Sequence, residues 1–263
     1  MNTFRKSLIM PIAVLAILTL QAIAAAQAPP AATPPGNSPP ANAPATGFTH
    51  LAPAAAAANA PRTLAPYFTP ATATPKAPDA DGFIQRWLLL EPIVKPNRTN
   101  TVFTGTYVRA TFNNQFFPGQ FTAVPKNGEK VTVDGHELAW HALDTPNFDA
   151  KLFRFAYGLN KPTYGVIFWA VTVIDSPREM KNVRLAVGSN SASMWWLDGK
   201  EAVGLFADRR MLMDDVVSSR LTLNKGKNIL RGAVINGPGL SDFCVRFVDE
   251  EGKPIKDLAI GLQ

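Results

Sequence analysis

One cysteine, Cys244, and three histidines are all that this chain of 263 residues carries in the way of soft ligands and ready bases. A lone thiol closes no internal disulfide, and neither a His-x-x-x-His nor a paired cysteine spacing marks a zinc site. The sequence also has no Gly-x-Ser-x-Gly elbow and no Gly-Asp-Ser block, the usual settings of a serine nucleophile. Charge is sparse: 17% of residues are charged, and the net charge of +6 is dispersed. No run of Lys and Arg interleaves with aromatics, which argues against a nucleic-acid groove.

Proline is plentiful but uneven. Met1 to Ala28 has a basic start at Arg5 and Lys6, an apolar run from Leu8 to Leu20, and an Ala26-Gln27-Ala28 exit. That is the anatomy of a secretory signal peptide cleaved after Ala28, with an uncleaved membrane anchor as the alternative. From residue 29 to 79 Pro and Ala dominate. Small side chains offset little of the entropy lost on ordering, so this stretch is expected as an extended, disordered linker. Residues 80–263 are then enough for a single core. Cys244, within the alternating run Phe243 to Val248, is expected as a small buried hydrophobe.

Short strands with compact turns fill that remainder. Phe83 to Leu90 reads as the first strand, stopped by Glu91-Pro92, while Asn97 to Asn114 leaves a short helix and an irregular loop both open. Lys130–Val133 and His136–His141 flank Asp134-Gly135, a hairpin turn. Leu152 to Tyr157 alternates weakly, and Tyr164 to Ile174 is β-branched and aromatic enough to be covered on both faces. Further strand-like runs are Val183–Ser189, Ser193–Lys200, Arg220–Asn228, Ile229–Ile235 and Phe243–Val248. The expected fold is all-β, an antiparallel jelly-roll-like sandwich of roughly eight to ten short strands.

Several phrases sharpen this. Asp81-Gly82-Phe83-Ile84 with Trp87-Leu88, Leu185-Ala186-Val187-Gly188-Ser189, Trp196-Leu197-Asp198-Gly199-Lys200, Lys225-Gly226 with Asn228, and Phe243 with Val245-Arg246-Phe247 follow in an order that resembles the galactose-binding-domain-like β-sandwich family. With Trp169 to Val173 and Trp195-Trp196 added, the pattern is similar to exported bacterial proteins labelled acetylxylan esterases. The resemblance covers the last two thirds of the chain and rests on strands and turns. It implies a module of polysaccharide breakdown, and a structural calcium between loops, for which Asp208, Asp214 and Asp215 are the hard oxygen ligands to consider.

For catalysis the residues offer little. Gly188-Ser189-Asn190-Ser191 follows a strand but opens no helix, and His136 and His141, an odd five apart, face opposite sides of a regular strand. Sugar binding asks for less: an exposed aromatic ring and polar groups around it. In Trp195-Trp196 one indole enters the core and its neighbour points away, so parity places Trp195 inward and makes Trp196 the expected platform. Asp198, Lys200, Asp208, Arg209 and Arg210 are the expected rim, the arginines offering a fork to a uronic-acid carboxylate. Trp87, Trp140 and Trp169 are expected in the core, and Asn236 and Asp242 flank a glycine turn at a loop end.

The reading is an exported, non-catalytic carbohydrate-binding or accessory module for hemicellulose such as xylan, beside a partner hydrolase. It needs no cofactor, and meets membrane only through an uncleaved leader. The alternatives are an acetylxylan esterase and a structural or protein-interaction sandwich of the periplasm.

Overall fold

Two Asp-Gly pairs set the simplest pieces of the architecture. Asp134 and Gly135 take φ of 48° and 79°, and Asp198 and Gly199 take 49° and 77°. Positive φ at both central residues twists the flanking strands into register, so each pair closes a two-residue hairpin. The computed structural model describes residues 62–263; the expected leader and the part of the expected linker up to residue 61 lie outside the described residues.

The strands in chain order are β1 (Thr69–Pro70), β2 (Arg86–Leu90), β3 (Ile93–Val94), β4 (Lys130–Val133), β5 (His136–Asp144), β6 (Asp149–Ala150), β7 (Val166–Ser176), β8 (Met180–Ser189), β9 (Ala192–Leu197), β10 (Lys200–Leu205), β11 (Val216–Val217), β12 (Leu221–Leu223), β13 (Gly226–Asn236), β14 (Phe243–Val248) and β15 (Ala259–Gly261). Two helices interrupt them, α1 (Gly105–Asn113) and α2 (Leu152–Gly158). The larger sheet runs β1-β5-β2-β7-β13-β9-β10, with β3 and β15 also on β7 and β4 on β5. The smaller runs β11-β8-β14-β6, with β12 on β8, and the paired strands are antiparallel. The protein is an all-β sandwich.

Its main core lies between the sheets. Trp87, Trp195 and Phe243 meet there edge to face, with centroids 5.0–5.8 Å apart. The Trp195 indole lies flat against β13: a Cβ at Gly232 would stand 2.3 Å from it, so only glycine fits. A second core covers the outer face of the larger sheet. Trp140, Trp169, Trp196, Ala233 and Ile235 are roofed by Phe112 of α1 and by Phe117 and Phe121 of the segment that follows. β7 therefore sits between two apolar layers, which is why its residues are apolar at both parities.

Two expectations change and one open choice is resolved. Leu152 to Tyr157 is helical, because Leu152, Phe155 and Ala156, at i, i+3 and i+4, are the residues buried against the inter-sheet core. Asn97 to Asn114 resolves into a 3-10 turn at Asn100–Val102 and α1, whose N-cap Thr104 accepts a hydrogen bond from the Tyr107 amide at 3.3 Å. Residues 62–79 are part of the fold instead of linker: Phe68 is buried against Phe155, β1 pairs with β5, and Lys76 pairs with Ile260. Among the described residues no helix is long and apolar enough to cross a membrane.

Candidate functional site

The strand parity of the tandem tryptophans is as expected, but the exposure is not. Trp196 does point away from Trp195, onto the outer face of the larger sheet. There it stacks on Trp169 at 5.6 Å and 18° and takes the edges of Phe121 and Phe112, and it is only 4% exposed. The second core covers it, so Trp196 is a structural residue and no platform. Asp198 closes the β9–β10 hairpin, its Oδ1 accepting from the Ile229 amide at 2.7 Å. Lys200 stands exposed beside it. Asp208, Arg209 and Arg210 follow the other end of β10, about 20 Å away along a six-residue strand. Asp208 accepts from the Asn100 amide nitrogen at 2.8 Å, Arg209 pairs with Asp215 at 2.6 Å, and Arg210 is exposed. The expected rim therefore does not converge on one site.

The acids considered for calcium are engaged elsewhere. Asp214 is clamped by Arg246, Asp215 by Arg209, and Asp208 by Asn100. Among the described residues no group of three or more His, Cys, Asp and Glu is placed to hold a metal ion, so these residues do not fit one. His136 is exposed at the hairpin; His141 sits 3.4 Å from Glu91 with its ring edge on Phe155. Among the described residues no serine hydroxyl is hydrogen-bonded to a histidine or a lysine.

What the fold does assemble is an aromatic ledge on α2. Burying Leu152, Phe155 and Ala156 turns the opposite face of the helix outward, and Phe153 and Tyr157, four residues apart, become neighbours. Their rings lie nearly parallel, at 10° and 6.3 Å. Tyr164, in the connection to β7, leans on Phe153 at 5.7 Å. Tyr157 and Tyr164 are 39% and 55% exposed, the most exposed aromatic side chains among the described residues, whereas all five tryptophans are at 4% or less. Two guanidiniums flank the ledge. The Arg62 Cζ lies 4.6 Å from the centre of the Tyr157 ring, and that of Arg154 lies 4.9 Å from Tyr67 and 5.9 Å from Phe153.

The ledge is held by the loops at this end of the sandwich. The Asn236 side-chain nitrogen donates to the Thr163 and Gly239 carbonyls, and the Gly165 amide donates to the Gly237 carbonyl. The Asn100 carbonyl oxygen accepts from the Gly237 amide and its nitrogen donates to Asp208 and Pro238, tying in the loop after β10. Beneath, the inter-sheet core ends in polar residues. Continuing the β9–β13 register one step sets Ser191 opposite Asn236, and with Ser189 and Ser241 they are fully buried. The hydroxyl oxygens of all three serines and the side-chain carbonyl of Asn236 have no partner within the protein. Asn236 and Asp242, on either side of the glycine turn, are both buried, Asn236 bonded to the Thr163 and Gly239 carbonyls and Asp242 to Lys151.

Lys151, just before α2, bridges the two acids here, bonding Asp149 at 2.6 Å and Asp242 at 3.1 Å. Burial still pushes the Asp242 carboxyl up, outweighing the ammonium beside it. Burial also acts to raise Glu91, but Lys161 at 2.9 Å, the Ala139 amide and His141 together hold it below the ordinary glutamate value. The Cys244 thiol, 1% exposed, is pushed up to about 12 by burial.

Sequence reasoning overlooked the ledge because Phe153-x-Phe155-x-Tyr157 reads at period two as a strand, although the i, i+4 spacing of Phe153 and Tyr157 was the available signal.

No protein-family model matches the chain, and no curated protein sequence does. Among solved structures it is similar to a PA14 sugar-binding domain from an RTX adhesin, with a TM-score of 0.38 and 8% identity over 66% of this chain and 96% of that one. It is similar also to the PA14 domain of the antifreeze protein MpAFP, with a TM-score of 0.39 and 9% identity over 71% of this chain and 94% of that one.

Proposed function

We propose that the protein is an exported, non-catalytic carbohydrate-binding module that holds a hemicellulose chain, xylan in the first instance, against the ledge of Phe153, Tyr157 and Tyr164. The observation that carries this reading is the exposure of an ordered aromatic surface on a domain that buries every tryptophan. The C–H face of a pyranose ring stacks on an aromatic face, and a ligand spanning neighbouring rings gains contact area with little loss of side-chain entropy, since the rings already brace one another. Tyrosine hydroxyls and the exposed Asn160 amide supply hydrogen bonds to sugar hydroxyls at the margin. No bond is made or broken: the module's work is to keep a partner hydrolase near its substrate, raising the effective concentration.

Affinity electrophoresis through gels cast with soluble xylan tests it. The protein is expected to be retarded, and Tyr164→Ala and Phe153→Ala, shown folded by circular dichroism, to lose most of that retardation. Unretarded migration of the folded protein in xylan, and in mannan and galactan gels beside it, would reject sugar binding and leave the structural or interaction sandwich.

A further inference from the structure

The ledge carries two guanidiniums that no carboxylate pairs with directly among the described residues. Arg62 and Arg154 are both exposed, and neither forms an ion pair among the described residues. Arg62 donates to the Asn160 side-chain oxygen at 2.6 Å, a neutral partner. Of the acids at this end, Asp149 and Asp242 bond Lys151, Glu91 bonds Lys161 and Asp208 accepts from Asn100; the first three carboxylates are 4%, 3% and 9% exposed. Solvent above the rings therefore faces guanidinium charge that no exposed carboxylate pairs with, since the three nearby acids are buried and bonded to lysines.

The posture of these arginines matters as much as their sign. With their Cζ atoms 4.6 and 4.9 Å from the Tyr157 and Tyr67 ring centres, both guanidiniums are held by cation–π attraction, which leaves N–H edges available to a second partner. Those edges present two parallel donors to a planar oxyanion, the geometry a carboxylate fits bidentately. We infer that the ledge selects acidic glycans: a sugar ring stacks on the exposed tyrosines while the carboxylate of a uronic acid, on that ring or on a side group, is bridged by Arg154 or Arg62. The inference rests on the sugar-binding reading and adds the class of sugar. It also transfers the carboxylate fork from Arg209, which Asp215 occupies, to arginines left open.

Titration calorimetry of the protein separates the two levels. The probes are glucuronoxylan, the same polymer after reduction of its carboxyl groups, and dextran sulfate as an anion without uronate. Glucuronoxylan is expected to bind at least roughly tenfold more tightly than its reduced form, and the ratio to shrink several-fold at about 0.5 M salt, where the Debye length falls to a few ångströms. Arg62→Gln and Arg154→Gln, with unchanged thermal midpoints, are expected to bring the ratio toward one. Equal affinity for both xylans, lost in Tyr164→Ala, would overturn the acidic selectivity and keep sugar binding. Binding of neither xylan would overturn both. Dextran sulfate bound as tightly as glucuronoxylan and indifferent to Tyr164→Ala would reduce the ledge to a general polyanion patch and sink the inference.

Discussion

Truncating Trp196 to alanine distinguishes a roofed core residue from a binding platform. The indole contacts Trp169 face to face and Phe121 and Phe112 edge to face, and α1 and the 114–123 segment seal it from solvent. A buried Trp removes about 150–250 Å² from water, which at about 25 cal/mol per Å² is roughly 4–6 kcal/mol of transfer free energy. The unfolded chain already shields part of that area, and measured losses for Trp→Ala in cores run at about 3–5 kcal/mol. For a domain of this size that lowers the thermal midpoint by roughly 6–20 °C. Urea titration followed by far-UV circular dichroism reads the loss. The roof's own anchor, Phe112→Ala, should lower stability too and increase the exposure of Trp196 to a fluorescence quencher. A loss below about 1 kcal/mol in Trp196→Ala, or lost xylan affinity at unchanged stability, would refute the roofed arrangement and restore Trp196 as a platform.

Cys244, buried on β14 opposite Gly188 of β8 with its thiol pushed up to about 12, is expected to resist a disulfide reagent at pH 8 in the native protein and to react within the unfolding time once urea is added; rapid native labelling would contradict its burial. Because burial raises the Asp242 carboxyl, the folded state binds its proton more tightly than the unfolded state, so this group adds stability at acid pH and that contribution is lost as pH rises through its folded value. Relative to Asp242→Asn, the native protein should gain stability as pH falls toward the ordinary aspartate value, with a slope no steeper than about 1.4 kcal/mol per pH unit. Parallel urea midpoints for the two proteins over that fall in pH would refute the raised carboxyl. Glu91, held low, acts in the opposite sense in both proteins and cancels from the comparison.

Local signals in the chain were legible where one residue type decides the outcome. Asp134-Gly135 and Asp198-Gly199 adopt the positive φ that their hairpins need, and the boundaries at Val133 and His136 follow. β7 is apolar at both parities and is covered on both faces. Parity also separates Trp195 from Trp196 correctly. It says nothing of what lies over each face, and the roof above Trp196 comes from α1 and Phe117–Phe121, distant in sequence and ambiguous in pattern. α2 escaped for a related reason: over so few residues a period of two and a period of 3.6 are hard to separate, and contact of Leu152, Phe155 and Ala156 with the core settles it. The Pro- and Ala-rich composition of residues 62–79 reads as linker, yet Phe68 and the pairing of Thr69 and Pro70 with β5 fasten it down. As for the site, Asp198, Lys200, Asp208, Arg209 and Arg210 share the residue types of a sugar-binding rim, but β10 separates them into two ends. The ledge depends on which face of α2 the core takes, and that is a tertiary fact.

The account turns on where a sugar touches this protein. Amide chemical-shift mapping of the isotope-labelled protein, titrated with a xylo-oligosaccharide bearing one glucuronic acid, answers that directly. The ledge predicts saturable shifts at residues 151–165, at the Arg62 and Arg154 side-chain Nε–H groups, and little change at the Asp198-Gly199 hairpin. Shifts centred on residues 196–210, or none at millimolar oligosaccharide, would contradict it.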